Sequence, residues 1–112
     1  MRKTMHAESG LAGPAQHVLL ALGTDALHGY AIMQSIAERS GGQIRLLPGT
    51  LYSTIKKLLA ENLVEECDPP KNADSEDARR RYYRVTRAGK AAMKAQTERL
   101  ALLVKLGKVF AS

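Results

Sequence analysis

The sequence predicts a mainly α-helical fold with a small β-wing, and three patterns in the chain predict it. Three short segments in the first half repeat apolar residues at helical spacing and are separated by glycine or proline. Two β-prone runs then flank a polar segment that contains two adjacent prolines, which is typical of a hairpin. A last helical segment carries apolar residues on most of its sides.

The length and the charge of the chain limit what it can do. A chain of 112 residues forms one small domain with a modest core and is short for an enzyme with a deep cleft. The net charge is +6 and is unevenly distributed. Residues 79–112 hold ten lysines and arginines and one acid, a net charge of +9, whereas residues 1–78 hold seven basic and ten acidic side chains, a net charge of −3. This distribution indicates an anionic partner.

The sequence predicts no catalytic residue, metal ion or cofactor. Its three histidines have no metal-ligand spacing with the single cysteine, and neither a glycine-rich phosphate loop nor a Ser/His/Asp arrangement is recognisable. We therefore expect that the protein is not an enzyme. His28 is interpreted as a turn residue beside Gly29, with metal binding as a remote alternative.

The single cysteine, Cys67, predicts a reducing environment and hence a cytoplasmic protein, because no internal disulfide can form. Acidic neighbours on both sides should raise the pKa of its thiol, which favours a strand cysteine over a redox sensor. The longest early apolar run, residues 18–22, cannot span a bilayer, so no membrane association is expected.

The first two helices are bounded by proline and glycine. Residues 1–13 show no periodicity and predict a flexible N-terminal arm, and Pro14 suits the first turn of a helix that Gly23 ends. A second helix should begin at residues 28–30 and stop at residues 41–42. Its inward face should consist of Ile32, Met33, Ile36 and Ala37.

The third helix follows Pro48 and Gly49, with Thr50 as its expected cap. Four apolar residues recur on one face, namely Leu51, Ile55, Leu58 and Leu59. The opposite side is small, hydroxylated and basic, formed by Ser53, Lys57 and Ala60 with Thr50 and Lys56 on its flanks. Such a face can approach a polyanion closely, although an ordinary solvated helix surface explains the pattern equally well.

The wing comes next in the chain. Residues 63–67 predict one strand, residues 68–78 a turn and residues 79–85 the returning strand. If Tyr83 and Val85 face inward, the period of two sends Tyr82 and Arg84 outward. Residues 14–85 thus form the predicted winged helix-turn-helix unit.

The last segment, residues 86–112, predicts a helix that Thr86 caps and that forms dimers. Its apolar side chains lie on too many sides for one small core to cover, and a second copy of the chain is the simplest partner. The dimerisation candidates are Met93, Leu100, Leu103, Leu106 and Phe110.

Four segments resemble the PadR family of bacterial transcription regulators in order and spacing over about residues 15–95. These segments are His28-Gly29-Tyr30-Ala31-Ile32, Pro48-Gly49-Thr50-Leu51-Tyr52, Leu63-Val64 and Arg80-Arg81-Tyr82-Tyr83-Arg84-Val85-Thr86-Arg87-Ala88-Gly89. The resemblance implies a homodimer that binds a palindromic operator in double-stranded DNA, as a repressor. It places the third helix in the major groove, the wing on the backbone and the C-terminal helix in the dimer contact.

The DNA-binding candidates that the resemblance implies are Tyr30, Thr50, Tyr52, Ser53, Lys56 and Lys57. Tyr52 lies at the edge of the apolar stripe, where packing and DNA contact are equally compatible with helical geometry. Members of the family often carry proline at the position of Ser53, so the helix start is open to a different placement.

The wing contact is expected at Arg79, Arg80 and Arg81, because the wing tip holds four acids against one lysine and would repel phosphate. A solvated edge that discourages strand pairing is the other reading of that arginine run.

Some relatives bind flat aromatic drugs on tryptophan. This chain has no tryptophan and one phenylalanine, so an effector that releases the protein from DNA stays unidentified. The competing function is a protein-interaction or architectural winged helix without an inducer.

Overall fold

Four helices and a three-stranded antiparallel sheet make up the computed structural model, which describes residues 11–111. In chain order the elements are α1 (Pro14–Leu22), β1 (Leu27–His28), α2 (Gly29–Arg39), α3 (Pro48–Ala60), β2 (Val64–Cys67), β3 (Tyr82–Val85) and α4 (Arg87–Gly107). Two short 3₁₀ turns, Asp77–Arg79 and Lys108–Phe110, precede β3 and follow α4.

The core lies where the inner faces of α1, α2 and α3 meet the sheet. Its fully buried side chains are Val18, Leu22, Ile32, Leu51, Ile55, Leu58 and Val64. Three of the four residues in the predicted stripe of α3 are therefore buried, while the fourth, Leu59, remains 37% exposed. On α2, Ile32 and Ile36 are buried and Met33 packs partly against the core.

The start of α3 differs from the prediction, since Thr50 is not its cap. The helix begins at Pro48, after Leu47 in an extended conformation, and has no side-chain cap. Proline suits this first position because its φ is already helical and its missing N–H has no partner there in any case. Thr50 instead lies inside the first turn, where its carbonyl accepts from the Ser53 hydroxyl (3.1 Å) and the Thr54 hydroxyl (2.7 Å).

The sheet has the order β1-β3-β2, and its first strand was not predicted. Its pairing explains why the prediction for Tyr82 is wrong. Tyr82 lies opposite His28 of β1, the two rings meet edge-to-face at 5.4 Å, and Tyr82 and Tyr83 are each 5% exposed. Because the His28 ring covers the outer face of the sheet at this position, Tyr82 is buried although it lies on the face opposite Tyr83. Arg84 does point outward, and its Nε lies 2.6 Å from Oε2 of Glu65 on the neighbouring strand β2.

The returning strand is also shorter than predicted. Arg79 belongs to the 3₁₀ turn and β3 begins only at Tyr82, so the three arginines precede the strand. Cys67 lies half-buried on β2, where burial, together with Glu65, Glu66 and Asp68 and against the effect of Arg84, raises the pKa of its thiol.

The cap predicted for the last helix is confirmed. The Thr86 hydroxyl accepts from the backbone N–H of Gly89 (3.0 Å) and donates to the Asn62 carbonyl (2.7 Å). Gly89 lies so close to the Leu63 carbonyl that a Cβ there would collide with it. This contact places the start of α4 against the residue that immediately precedes β2.

Most of the predicted N-terminal arm, residues 1–10, lies outside the described residues. At the end of that arm, Leu11 is buried in the core. Between residues 11 and 111, no helix is long and apolar enough to cross a bilayer.

Candidate nucleic-acid interface

The outward face of α3 carries the reading candidates that the sequence predicts. Thr50, Tyr52, Ser53, Lys56 and Lys57 are all exposed, on the helix whose inner face is buried. No acidic residue occurs on α3, and within residues 11–111 neither lysine forms an ion pair. The face is therefore positive and accessible, as contact with a polyanion requires.

The hydroxyl of Ser53 has a more restricted role than the sequence suggests. It donates its hydrogen to the Thr50 carbonyl within the helix. In this geometry its oxygen remains as an acceptor, which suits a base amino group better than a phosphate.

Tyr52 combines the two roles that the sequence left open. Its ring packs over the first residue of α2, where a Cβ on Gly29 would lie 2.5 Å from the Tyr52 hydroxyl oxygen. The side chain is nonetheless 51% exposed. Tyr52 therefore packs α3 against α2 through its hydroxyl end while about half of the residue stays exposed.

Tyr30 stands exposed at the start of α2, as a phosphate contact requires. His28 caps this helix, since its Nδ1 accepts from the backbone N–H of Ala31 at 3.1 Å. An open groove of about 600 Å³ runs from Tyr30 along α2 to Arg45. Arg45, a basic residue just before α3, also lines this groove and was not among the candidates from the sequence.

The three arginines at the base of the wing are not equivalent. Arg80 is bound to the wing's own acids, with Nε 3.2 Å from Asp77 Oδ1 and a terminal nitrogen 3.7 Å from Glu76 Oε1. Arg79 and Arg81 are exposed and form no ion pair within the described part of the chain. Most of the positive charge that the wing base presents to solvent therefore comes from Arg79 and Arg81.

Asp77 also lies close to the start of α2. Its carboxylate lies 3.9 Å from His28 Nε2, and its backbone N–H donates to Asp74 Oδ1 at 2.8 Å. Burial lowers the pKa of His28, with a further lowering from Arg80 that Asp77 partly offsets. A neutral imidazole agrees with the cap, because a protonated Nδ1 could not accept the Ala31 N–H. Within residues 11–111, no three His, Cys, Asp or Glu side chains are grouped to bind a metal ion.

The dimerisation candidates divide into two groups. Leu100, Leu103, Leu106 and Phe110 are exposed, with exposed fractions of 65% for Leu103 and 89% for Phe110. Met93 instead packs partly against the core of its own chain. The apolar surface without a partner within residues 11–111 therefore begins near Leu100.

A polar network marks the point where α4 leaves the domain. The buried Gln96 donates to the Gln16 side chain on α1 (3.1 Å), and its own oxygen accepts from Arg99 at 2.8 and 3.2 Å. Beyond Arg99, every described side chain of α4 is exposed.

Comparisons with known proteins agree with this architecture. The sequence model described as "Transcriptional regulator PadR-like family" matches residues 18–95. An uncharacterised 37.1 kDa protein in transposon TN4556 of Streptomyces fradiae is 37% identical over 95 residues, which are 85% of this chain and 24% of that protein. The chain therefore spans about a quarter of the length of that curated relative.

Solved structures show the same fold over nearly the whole chain. A transcriptional regulator from Clostridium thermocellum has a TM-score of 0.72 at 20% identity, covering 100% of this chain and 98% of that one. A PadR family transcription regulator from Clostridium difficile has a TM-score of 0.69 at 22% identity, covering 87% and 98%. They confirm the predicted winged helix with its C-terminal helix. Family and fold together support DNA-binding transcriptional regulation, and the family description names regulators rather than enzymes.

Proposed function

The chain belongs to the PadR-like family of transcriptional regulators, and on that premise we propose that it represses transcription as a homodimer bound to a palindromic DNA operator. The observation that carries the proposal is the outward face of α3. It is small, hydroxylated and basic, it lacks acids, and its inner face is locked into the core by Leu51, Ile55 and Leu58. A rigid helix of this kind can enter the major groove and contact base edges.

In this arrangement Lys57 and Ser53 contact base edges, because they lie opposite the buried stripe of α3. Lys56 and Thr50 on the flanks, with Tyr30 and Tyr52, contact the sugar-phosphate backbone. Arg79 and Arg81 extend the backbone contact to the wing base, where they are exposed and unpaired within residues 11–111. Arg80 contributes less, since Asp77 and Glu76 already hold its guanidinium.

Residues 14–85 form the DNA-binding unit in this proposal and residues 86–112 the dimerisation helix. The many exposed apolar side chains between Leu100 and Phe110 support the second assignment, because exposed apolar surface of this kind marks an interaction site. Leu20, an exposed leucine on α1 that lines a cavity of about 240 Å³ beside Met93 of α4, supplies a second apolar contact for the partner copy. Release by a small-molecule effector and a cytoplasmic location, where the DNA lies, complete the proposal.

The test is selection of bound fragments from the host genome, followed by affinity measurements on a selected fragment and on random DNA at one salt concentration. An operator-binding regulator should prefer its site by a factor of at least about 10³. Equal affinity for all sequences would favour the alternative, an architectural or protein-interaction winged helix without an inducer.

A further inference from the structure

A small cavity lies where α2, α3 and the wing base converge. Its volume is about 210 Å³, and its lining consists of His28, Gly29, Tyr52, Arg80, Arg81 and Tyr83. These residues come from β1, α2, α3, β3 and the segment just before β3, so a ligand held here would lie between several separate elements.

The shape of the cavity depends on the absence of a side chain at the start of α2. A Cβ on Gly29 would lie 2.5 Å from the Tyr52 hydroxyl oxygen and 2.9 Å from its Cζ. Glycine therefore allows the Tyr52 hydroxyl to rest against the backbone at this end of α2. Here the free N–H groups of a helix start also favour a negative charge.

The charges around the cavity favour an anion. Arg81 is exposed and has no carboxylate partner within the described residues, while Arg80 is already paired with Asp77 and Glu76. Burial and the nearby Glu66 raise the pKa of Tyr83, against the effect of Arg81, so its hydroxyl stays protonated at neutral pH. The lining thus presents the Arg81 guanidinium, which has no carboxylate partner within the described residues and lies beside the Tyr83 hydroxyl, together with the hydroxyl groups of Tyr52 and Tyr83.

We propose that this cavity binds one phosphodiester group of the DNA backbone, with Arg81 supplying the charge and the Tyr52 hydroxyl donating a hydrogen bond. The inference rests on the proposed function and adds to it a joint site. A single phosphate would connect the wing base to the reading helix, so that Tyr52 and Arg81 act as a unit. Arg79 precedes the site in the 3₁₀ turn and does not line the cavity.

Fluorescence anisotropy on a random-sequence duplex at fixed salt tests this coupling in the full-length protein. Tyr52→Phe removes only the hydroxyl and keeps the ring over Gly29. We expect Tyr52→Phe and Arg81→Ala each to weaken binding about 10-fold per subunit, the scale of a hydrogen bond to a charged group, and hence about 100-fold for a dimer that loses two such contacts. The double variant should lose clearly less than the product of the two, because either change already disturbs the shared phosphate.

Arg79→Ala is the matched control, and its effect should multiply with that of Tyr52→Phe. Full multiplication in the Tyr52/Arg81 pair, or no effect of Tyr52→Phe, would overturn the joint site while leaving DNA binding intact. Absence of DNA binding by the unmutated protein would instead overturn the proposed function.

A second measurement distinguishes a DNA phosphate from free phosphate. Inorganic phosphate, added at constant ionic strength, should leave the melting temperature of the unmutated protein and of Arg81→Ala unchanged, because the site needs the rest of the DNA for affinity. Stabilisation of the unmutated protein but not of Arg81→Ala would show a site for free phosphate and overturn the assignment to DNA.

Discussion

The three arginines at the wing base differ in their ion pairs, so replacing each of them should change the salt dependence of DNA binding by a different amount. The proposed interface assigns to backbone contacts three basic residues per subunit that form no ion pair within residues 11–111, Lys56, Arg79 and Arg81. A dimer then makes about six such contacts, which gives a slope of log K against log salt of about −5. Arg79→Ala or Arg81→Ala removes two contacts per dimer and should flatten the slope by about 1.8. Arg80→Ala should leave it within about 0.5, since its charge is balanced by Asp77 and Glu76.

The assay is anisotropy titration of a random-sequence duplex between 50 and 200 mM salt, with the three variants measured in one series. Over this range a slope difference of 1.8 changes the loss of affinity by about 10-fold, which is well resolved. If Arg80→Ala flattens the slope as much as Arg81→Ala does, Arg80 leaves its acids to bind phosphate, and the pairing seen here does not govern the contact.

Four further predictions concern specificity, assembly, pH dependence and packing. Lys57→Ala should reduce the preference for a selected site over random DNA by about 10-fold with little change in melting temperature, whereas an equal loss on both DNAs would make Lys57 a backbone contact. Truncation after Arg99 removes only exposed side chains of α4 and should give a folded monomer by light scattering; a folded dimer would place the interface elsewhere. The lowered pKa of His28 means that the unfolded state binds more protons, so the free energy of unfolding should fall as pH drops from 6.5 through the folded pKa; in His28→Asn, which keeps a capping oxygen, urea unfolding should lose this dependence. In Gly89→Ala the added methyl group would collide with the Leu63 carbonyl, so the free energy of unfolding measured by chemical denaturation should fall by about 1–3 kcal/mol or more. In Gly107→Ala on the same helix the methyl group meets nothing within 4 Å, so the free energy of unfolding should not fall.

The helices were predictable because local chemistry and burial agree in them. The apolar spacing of α3 and its preceding proline both place the helix, and the core then buries Leu51, Ile55 and Leu58. The cap at Thr86 was predictable for the same reason, since a hydroxyl at that position meets the N–H of Gly89 within the next turn. Thr50 has the same hydroxyl but follows Pro48, which already starts the helix, so the proline and not the hydroxyl sets the boundary.

Strand β1 was not predictable because no local sequence pattern encodes it. Two residues, Leu27 and His28, are too few to show a period of two, and they become a strand only by pairing with β3. The buried position of Tyr82 depends on that pairing, which joins residues more than fifty positions apart in the chain. Long-range pairing of this kind places a side chain such as His28 over a strand face that would otherwise be exposed, and the strand's own sequence does not indicate it.

At the candidate site, the sequence shows where the charged residues lie in the chain but not which of them form ion pairs. The sequence places three consecutive arginines at one end of the wing and four acids in its tip, and this separation favours all three arginines as phosphate contacts. The 3₁₀ turn folds the tip back, so that Asp77 and Glu76 reach Arg80 and not its two neighbours. A guanidinium that is already paired with carboxylates neutralises a DNA phosphate less effectively and releases fewer of its counterions. The contribution of each arginine therefore depends on this turn and not on its place in the run. The same turn brings the Asp77 carboxylate to 3.9 Å from His28 Nε2, at the start of α2.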